Sequence, residues 1–456
     1  MDTDSQPRGR GRIRYTLRRT TRWGCLGCLL LGLVLLLWFC GAMYHHWIGF
    51  PREVRAMAAM RAAREPVCSP GPWREFRGVL HSHSELSHDC EVPFPEILRA
   101  LQDTDRDFIC MSDHPDRGRA DFCAQWRGLH GGKLFIAGFE MRKGWMPFGV
   151  QPGVVLSNSM DDDTLARQIV DGGGLLFFAH PENPRAWDRP ELVGMEIYNA
   201  HADAKDQVGG LALLLPDLLL NYRRYPEQVL RLLFSRPVSN LRRWDELNRL
   251  RPIVGIAGND IHQNAGFRIK CSPEGALLVE ATSPKPPAKK LRLNPLTRYA
   301  ARRAFGPLVP NRLLLQVQLA PYPLMARLVG THVFARELTE PAVLGALRAG
   351  RAFVGFDLLA DSTGFLWLAE TAGERAFMGE ALPFSNAIRL RAASPLPCRF
   401  TVVCDGAPVH RATGRQMVWA PPVPGSYRVE AELDILGEWT PWVYANPLHL
   451  LPPSAP

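Results

Sequence analysis

Six short apolar runs, at 76–80, 107–111, 134–137, 175–179, 194–198 and 253–257, each end within a few residues in a side chain that binds metals. The ends are His81 and His83, His114, Glu140, His180, Asn199 with His201, and Asp260 with His262. Between the runs lie helix-length segments, at 93–102, 165–170, 226–234 and 241–250. Short strands alternating with helices predict βα units around a mainly parallel sheet. In α/β barrels the active site forms at the carboxyl ends of the strands. A single imidazole is more often a hydrogen-bonded structural residue, and a His-x-His alone is weak evidence. Six strand ends marked in the same way predict a polynuclear metal site.

Within the first corner, His81 and His83 stand two residues apart, which on extended chain points both rings to one face. His88 and Asp89 follow one short loop later, and either could complete the ligand set. At the fifth corner the ligand is His201, or the site is binuclear and Asn199 faces the substrate.

Charge excludes one class of function. The formal charge is +9 over 456 residues, but it is concentrated. Residues 1–22 carry seven Arg against two Asp, and 285–312 carry eight basic residues and no acid. The remainder is net acidic, so a nucleic-acid partner is not expected.

Residues 23–44 are 22 positions without a charge, enough to cross a bilayer once. The Arg-rich segment before them predicts a cytoplasmic N-terminus and an extracytoplasmic catalytic domain, periplasmic in a bacterium. A cleaved signal peptide is the alternative, with Cys40-Gly41-Ala42 as a small-residue site. Ten Cys show no repeated spacing, and one bridge such as Cys90 to Cys123 is conceivable in an exported domain.

The apolar run 211–220, broken by Pro216, is too short to span and either packs on the globular domain or dips into the membrane interface. The basic, proline-rich stretch 284–312 is not expected to hold one regular element. It reads as a solvated loop, a contact for anionic lipid, or a rim that attracts a phosphorylated substrate. From about 357 the pattern turns all-β, with short strands at 365–368, 388–392, 399–404, 427–433 and 442–448, an immunoglobulin-like sandwich.

The motifs HSHSELSHD, SDH, GFE, AHP, MEIYN and GNDIH, in that order, resemble the PHP (polymerase and histidinol phosphatase) metal-dependent hydrolases, over roughly residues 75–355. The helix-strand segment 338–355 is similar to the closing segment of their barrels. The tail with Tyr444-Ala445-Asn446-Pro447 resembles a branch related to carbamate hydrolases. The resemblance implies a distorted (β/α)7 barrel holding two or three divalent ions (Mn, Zn or Fe). By it, His81 and His83 hold the first ion, Glu140 bridges to a second bound by His180, and Asp260 serves the first or bridges. Asp89, His114 and His262 form a third corner, with Asp89 favoured over His88 although the family's acid often stands one residue earlier. Asp113 is expected to orient a ligand or accept a proton.

The expected organisation is a basic tail (1–22), a transmembrane anchor (23–45), a linker (46–74), the barrel (75–356, with an insertion at about 266–330) and the sandwich (357–456). The expected function is a membrane-tethered phosphoesterase in which a metal-activated hydroxide attacks a phosphate ester. Arg142, with Lys143, is the expected catalytic cation beside the phosphate. The chain has neither a G-x-S-x-G elbow nor a phosphate-binding G-x-x-x-x-G-K-[ST] loop. A carbamate, ester or amide hydrolase and a non-catalytic binding module are the alternatives. Expected partners are a small, phosphorylated ester and the membrane, through 23–45 and the basic stretch 285–312.

Overall fold

The computed structural model describes residues 30–67, 71–206, 211–282 and 288–452. The basic tail, the first residues of the apolar run and Lys285 lie outside them. The chain divides into two compact units, Met1–Arg55 with Gln207–Leu233, and Ala56–Asp206 with Phe234–Pro456.

The larger unit is built on parallel strands. β1 (Arg74–Leu80), β2 (Phe108–Cys110) and β3 (Lys133–Ile136) pair side by side. A second group contains β4 (Trp145–Phe148), antiparallel to β5 (Leu175–Phe178), then parallel β6 (Leu192–Asn199) and β7 (Val254–Gly258). Isolated bridges join Gly138 to Phe148 and Ser82 to Ile261. The pairing path therefore leaves β1 through β3 and returns to it from β7. β8 (Gly330–Ala335) runs antiparallel on the other edge of β1, with β9 (Ala352–Gly355) beyond it.

Alternate residues fill the core: Phe76 and Leu80 from β1, Phe108 and Cys110 from β2, Leu134 and Ile136 from β3, Met146 and Phe148 from β4, and Leu175 and Phe177 from β5. This is the period of two expected of strands whose inner face is buried. Each such large side chain contributes about 1.5–3 kcal/mol. The core thus fixes the frame, and the ligands sit where the strands run out.

The C-terminal strands do not stand apart. Glu438–Ala445 pairs with β9, Phe353 opposite Ala445, so the seam expected at 356/357 is crossed by one continuous sheet. Asn446 accepts from Gly255 N (2.7 Å) and donates to Gly255 O (3.1 Å) and Ala352 O (2.8 Å). The Tyr444-Ala445-Asn446-Pro447 motif thus stitches the tail to β7 and β9. The runs expected at 388–392 and 399–404 are one strand, Arg389–Cys404, in which the register shift between Ala393 and Cys398 accommodates Pro395 and Pro397.

The described part of the basic stretch splits into two short elements: Lys289–Leu291 edges a four-stranded sheet, and Pro295–Phe305 is a helix. Its first proline sits in the first turn behind an Asn294 cap, where a missing N–H costs nothing. Cys90 and Cys123 are both free. Cys90 is buried, with its thiol donating to His83 O at 3.4 Å.

The described residues of the smaller unit are helical. One helix, Leu30–Ala62, begins in it and is long and apolar enough to cross a membrane, by length and composition. Helix Leu211–Leu220 continues through Pro216, and Pro226–Arg231 follows after a turn. Phe50, Tyr225 and Val229 form the unit's buried core, with Leu214, Leu218 and Tyr222 against it. Arg231 grips Glu53 with both nitrogens, at 2.6 and 2.9 Å.

Candidate metal centre

The strand ends converge. Among the described residues, three groups form in each of which the ligand atoms lie within 4.8 Å of one another: His81, His83, Glu140 and Asp260; His83, Asp89, His114 and His262; and His201, Asp260 and His262. His180 joins from the fourth corner, its Nε2 3.2 Å from Glu140 Oε1 and 3.6 Å from Asp260 Oδ2. All nine expected ligands are thus brought together.

Each imbedded imidazole is held from behind. His81 Nδ1 bonds Glu196, His83 Nδ1 bonds Ser87 Oγ (3.1 Å) and His114 Nδ1 faces Glu140 O (3.4 Å). His180 Nδ1 bonds Glu182 (3.2 Å), and His262 Nδ1 bonds Asp260 O (3.0 Å). Every Nε2 is left facing the carboxylates. His81 Nε2 stands 3.1 Å from Glu140 Oε2 and 3.2 Å from Asp260 Oδ1. Asp89 Oδ2 lies 3.0 Å from His262 Nε2 and 3.4 Å from His114 Nε2.

Two ligands of one ion, each about 2.1 Å from it, stand about 3.0–3.4 Å apart. The observed separations are of that size. Moreover, His83 Nε2 and Asp260 Oδ1 are buried and 3.4 Å apart, yet neither has an aligned hydrogen-bond partner. Lone pairs aimed at one point rather than at a proton are what a cation would satisfy. The donor set, imidazole with carboxylate, suits Zn, Mn or Fe. The residues present fit the group.

The electrostatics agree. Burial would lower the His81 pKa, but Asp260, Glu196 and Glu140 outweigh it and hold the ring well above its usual value. His180 is pushed up to about 10, burial being overcome by Glu140 and Glu182. Glu140 and Asp260 are depressed well below the carboxylate range against the pull of burial, with His81 the largest opposing influence on each. His83 goes the other way, to about 3, because burial and neighbouring His262 both disfavour its charge. A neutral imidazole with an unclaimed Nε2 is a ready ligand.

The backbone is also specialised. His81, His180 and Asp260 adopt left-handed φ of 60°, 51° and 50°. Non-glycine residues there are uncommon, and such strain gathers at functional sites. The bend at His81 ends the strand at Leu80, so the pair His81 and His83 converges through a turn rather than through strand alternation.

Of the remaining sequence candidates, His88 stays outside the ligand groups, its ring 4.9 Å from that of His114. Asn199 is engaged elsewhere: Oδ1 accepts from His201 N and Ala202 N, and Nδ2 donates to Glu196. Asp113 is fully buried and accepts from Ser84 N, Ser84 Oγ and Gln125 Nε2. Burial pushes its carboxyl up. It fixes the loop after His83 and does not reach the ligand atoms. Arg142 Nη2 donates to Met160 O and to Asp162 (3.0 Å), and Lys143 Nζ is 2.8 Å from the same Asp162. Left-handed Lys143 (φ 60°) turns this short helix towards the start of helix Asp162–Asp171, so neither cation joins the cluster.

Two residues were missed. Glu196, fully buried, bonds His81 Nδ1 with one oxygen and accepts from His180 N (2.9 Å) with the other. It orients two ligands at once. Gly258 makes room for it: a Cβ there would lie 2.1 Å from Glu196 Oε1. The signal was an acid inside the apolar run Met195-Glu196-Ile197. Arg185 lies on the loop after His180, where Nε donates to Ala179 O (2.9 Å) and Nη1 to Pro184 O (3.0 Å). Its guanidinium passes over Gly144 (φ +69°), where a Cβ would lie 2.5 Å from it. Burial lowers its pKa, against the pull of Glu182, Glu140 and Glu196, which favour its charge.

No family model matches the chain, and no curated protein does. A solved two-domain protein from Bacteroides vulgatus, containing a predicted PHP-like metal-dependent phosphoesterase, is similar at 14% identity and a TM-score of 0.35. That match covers 84% of this chain and 98% of the other.

Proposed function

We propose that the chain is a membrane-tethered, metal-dependent phosphoesterase on a distorted (β/α)7 barrel with an appended β-sandwich. One observation carries the metal chemistry: five imidazoles are each held at Nδ1 from outside, with Nε2 turned inward onto Glu140, Asp260 and Asp89. Divalent ions, when bound, supply an acidified water and a Lewis acid for the substrate oxygen. His81, His83, Glu140 and Asp260 would hold one ion, and Asp89, His114 and His262 another. Glu140 presents Oε2 to His81 and Oε1 to His180, so it suits a bridging role. His201 completes the ring beside Asp260 and His262.

The chain's own residues do the rest. Glu196 keeps the proton of His81 on Nδ1 and so leaves Nε2 as the ligand atom. Arg185 favours a phosphate over a neutral ester, since it places a cation beside the carboxylate cluster. Tethering rests on the apolar helix that starts at Leu30, with its globular domain read as extracytoplasmic by the preceding arginines. The helix Pro295–Phe305 exposes Leu296 and Tyr299 next to Arg298, Arg302 and Arg303, a composition suited to anionic lipid.

The test is a substrate screen of the full chain with manganese, zinc or iron against aryl phosphodiesters, aryl phosphomonoesters, aryl esters and carbamates. Phosphoester turnover that a chelator stops and added metal restores is the expected result. Turnover confined to esters or carbamates would replace the phosphoesterase reading with its neighbour. Less than one ion per chain, with no uptake on addition, would end the metalloenzyme reading.

A further inference from the structure

We infer that the turn between helices Leu211–Leu220 and Pro226–Arg231 is a second membrane contact, seated in the interface of the bilayer that the first helix crosses. The inference rests on the reading of residues 23–44 as membrane-spanning.

Polar contacts fix the hairpin's direction along that helix. Asp217 bonds His45 Nδ1 at 3.0 Å, and Asn221 donates to Ala42 O (2.9 Å) and faces His46 Nδ1 at 2.7 Å. Leu214 and Leu218, earlier in the hairpin, pack with the cluster around Phe50. The chain therefore runs from the level of Phe50 to that of Ala42, antiparallel to the first helix and towards its apolar half. It turns at 221–225 and returns, with Tyr225 and Val229 back against Phe50 and Arg231 on Glu53. The turn is the hairpin's deepest point.

What the turn displays fits an interface. Leu219 is 68% exposed and Leu220 38%, although both end a helix whose other face is packed. Trp47, 71% exposed, stands on the first helix next to His46, which contacts the hairpin. Arg223 and Arg224 are exposed on the turn itself, and the Arg224 guanidinium lies 5.3 Å from the Tyr225 ring. Leucines that enter the acyl boundary, a Trp at headgroup depth and arginines for lipid phosphate are the parts of an interfacial anchor. In water the same leucines would be unpaid exposure; at the end of a membrane span they meet lipid. The polar pairs His45–Asp217 and His46–Asn221 satisfy one another, which lets the hairpin approach that depth without stranding a buried polar group.

The experiment uses the full chain reconstituted in vesicles of phosphatidylcholine and phosphatidylglycerol. Cys25, Cys28, Cys40, Cys68 and Cys123 are changed to Ser, and one nitroxide is attached at Leu219→Cys, Leu36→Cys or the exposed Val418→Cys. Collision with oxygen, which partitions into lipid, is compared with collision with a water-soluble nickel chelate. The expected result is loss of nickel collision and gain of oxygen collision at Leu219 relative to Val418, in the direction shown by Leu36. Nickel access at Leu219 equal to that at Val418, with Leu36 shielded, overturns the hairpin contact and leaves the tether intact. Nickel access at both Leu219 and Leu36 overturns the contact and the tether together. Shielding of Leu219 from both probes means protein covers the turn, and also overturns the inference.

Discussion

Two buried clusters of histidine and carboxylate occur in the larger unit, and they are opposites. In the first, at the strand ends, His83 Nε2 and Asp260 Oδ1 have no aligned partner. In the second, His332 is fully buried between Glu75 (2.7 Å from Nδ1) and Asp357 (3.0 Å from Nε2). Asp357 also accepts from Arg106, Ser362 N and Ser362 Oγ, and the other Glu75 oxygen accepts from Gly364 N. Every charge there has a protein partner. Ser362 Oγ stands 3.2 Å from His332 Nε2, which resembles a nucleophile beside its base. The serine is fully buried and bonded to Asp357 at 2.7 Å, so it is a structural residue. Composition does not separate a metal site from a structural lock. Unclaimed lone pairs do.

The comparison breaks most directly at His83. His83→Ala should lower phosphoester turnover by about 10³-fold or more at only a modest loss of stability, from the Ser87 contact and the vacated volume, because no protein hydrogen bond at Nε2 is lost. Near-wild-type activity would remove His83 from the site. His332→Ala should do the reverse. Removing one member of a buried ion network costs about 3–5 kcal/mol. Denaturant unfolding should show that loss, with activity per folded molecule retained. A stable variant without activity would mean that the two clusters had been misassigned.

Acidity sharpens the same contrast. Burial lowers the His332 pKa, but Asp357 and Glu75 outweigh it and raise the group to about 9. A group raised on folding contributes stability that is complete below its unfolded value of about 6.5. That contribution is lost as pH climbs towards 9, and amounts to roughly 3 kcal/mol. Unfolding of metal-loaded protein should therefore weaken between pH 6.5 and 9, and His332→Ala should flatten that slope. An equal slope in the variant would place the titration elsewhere.

The sequence made the ligands legible because strand ends carry them in order, and all six apolar runs end within one residue of the strands found. Other features were hidden for physical reasons. β4 reads as a loop, since Pro147 interrupts Trp145-Met146-Pro147-Phe148 and Gly149 follows at once. The proline-rich segment read as irregular because a proline at the first helical turn looks like a breaker unless its Asn cap is weighed. The left-handed turns at His81, His180 and Asp260 arise from tertiary contacts and leave no local trace. Glu196 was visible as an acid in an apolar strand, but its task appears only when His81 and His180 stand beside it.

Glu196 supplies the next test. Glu196→Gln keeps the volume and removes the charge behind His81, and outer partners of this kind are worth about 10–100-fold in metal affinity or activity. Metal titration should show weaker binding, with activity recovered at higher metal concentration. Unchanged metal affinity would make Glu196 a packing residue.

The smallest expected effect separates two sets of cations. Arg142 and Lys143 are spent on Asp162, whereas Arg185 lies under the charge of Glu140 and Glu196. If Arg185 meets a phosphate, its loss removes a charge-assisted contact worth about 1.5–3 kcal/mol, of which a partly exposed guanidinium realises the lower end. Arg185→Gln should then reduce kcat/KM about 10-fold for a phosphoester, chiefly through KM, and leave a neutral aryl ester unaffected. Arg185→Lys should recover part of that loss, since it restores the charge without the planar fork. Arg142→Gln should change neither substrate by more than about 2-fold. The opposite outcome, with Arg142 sensitive and Arg185 silent, would return the phosphate to the place the sequence first indicated. It would also require the Asp162 contact to open when substrate binds.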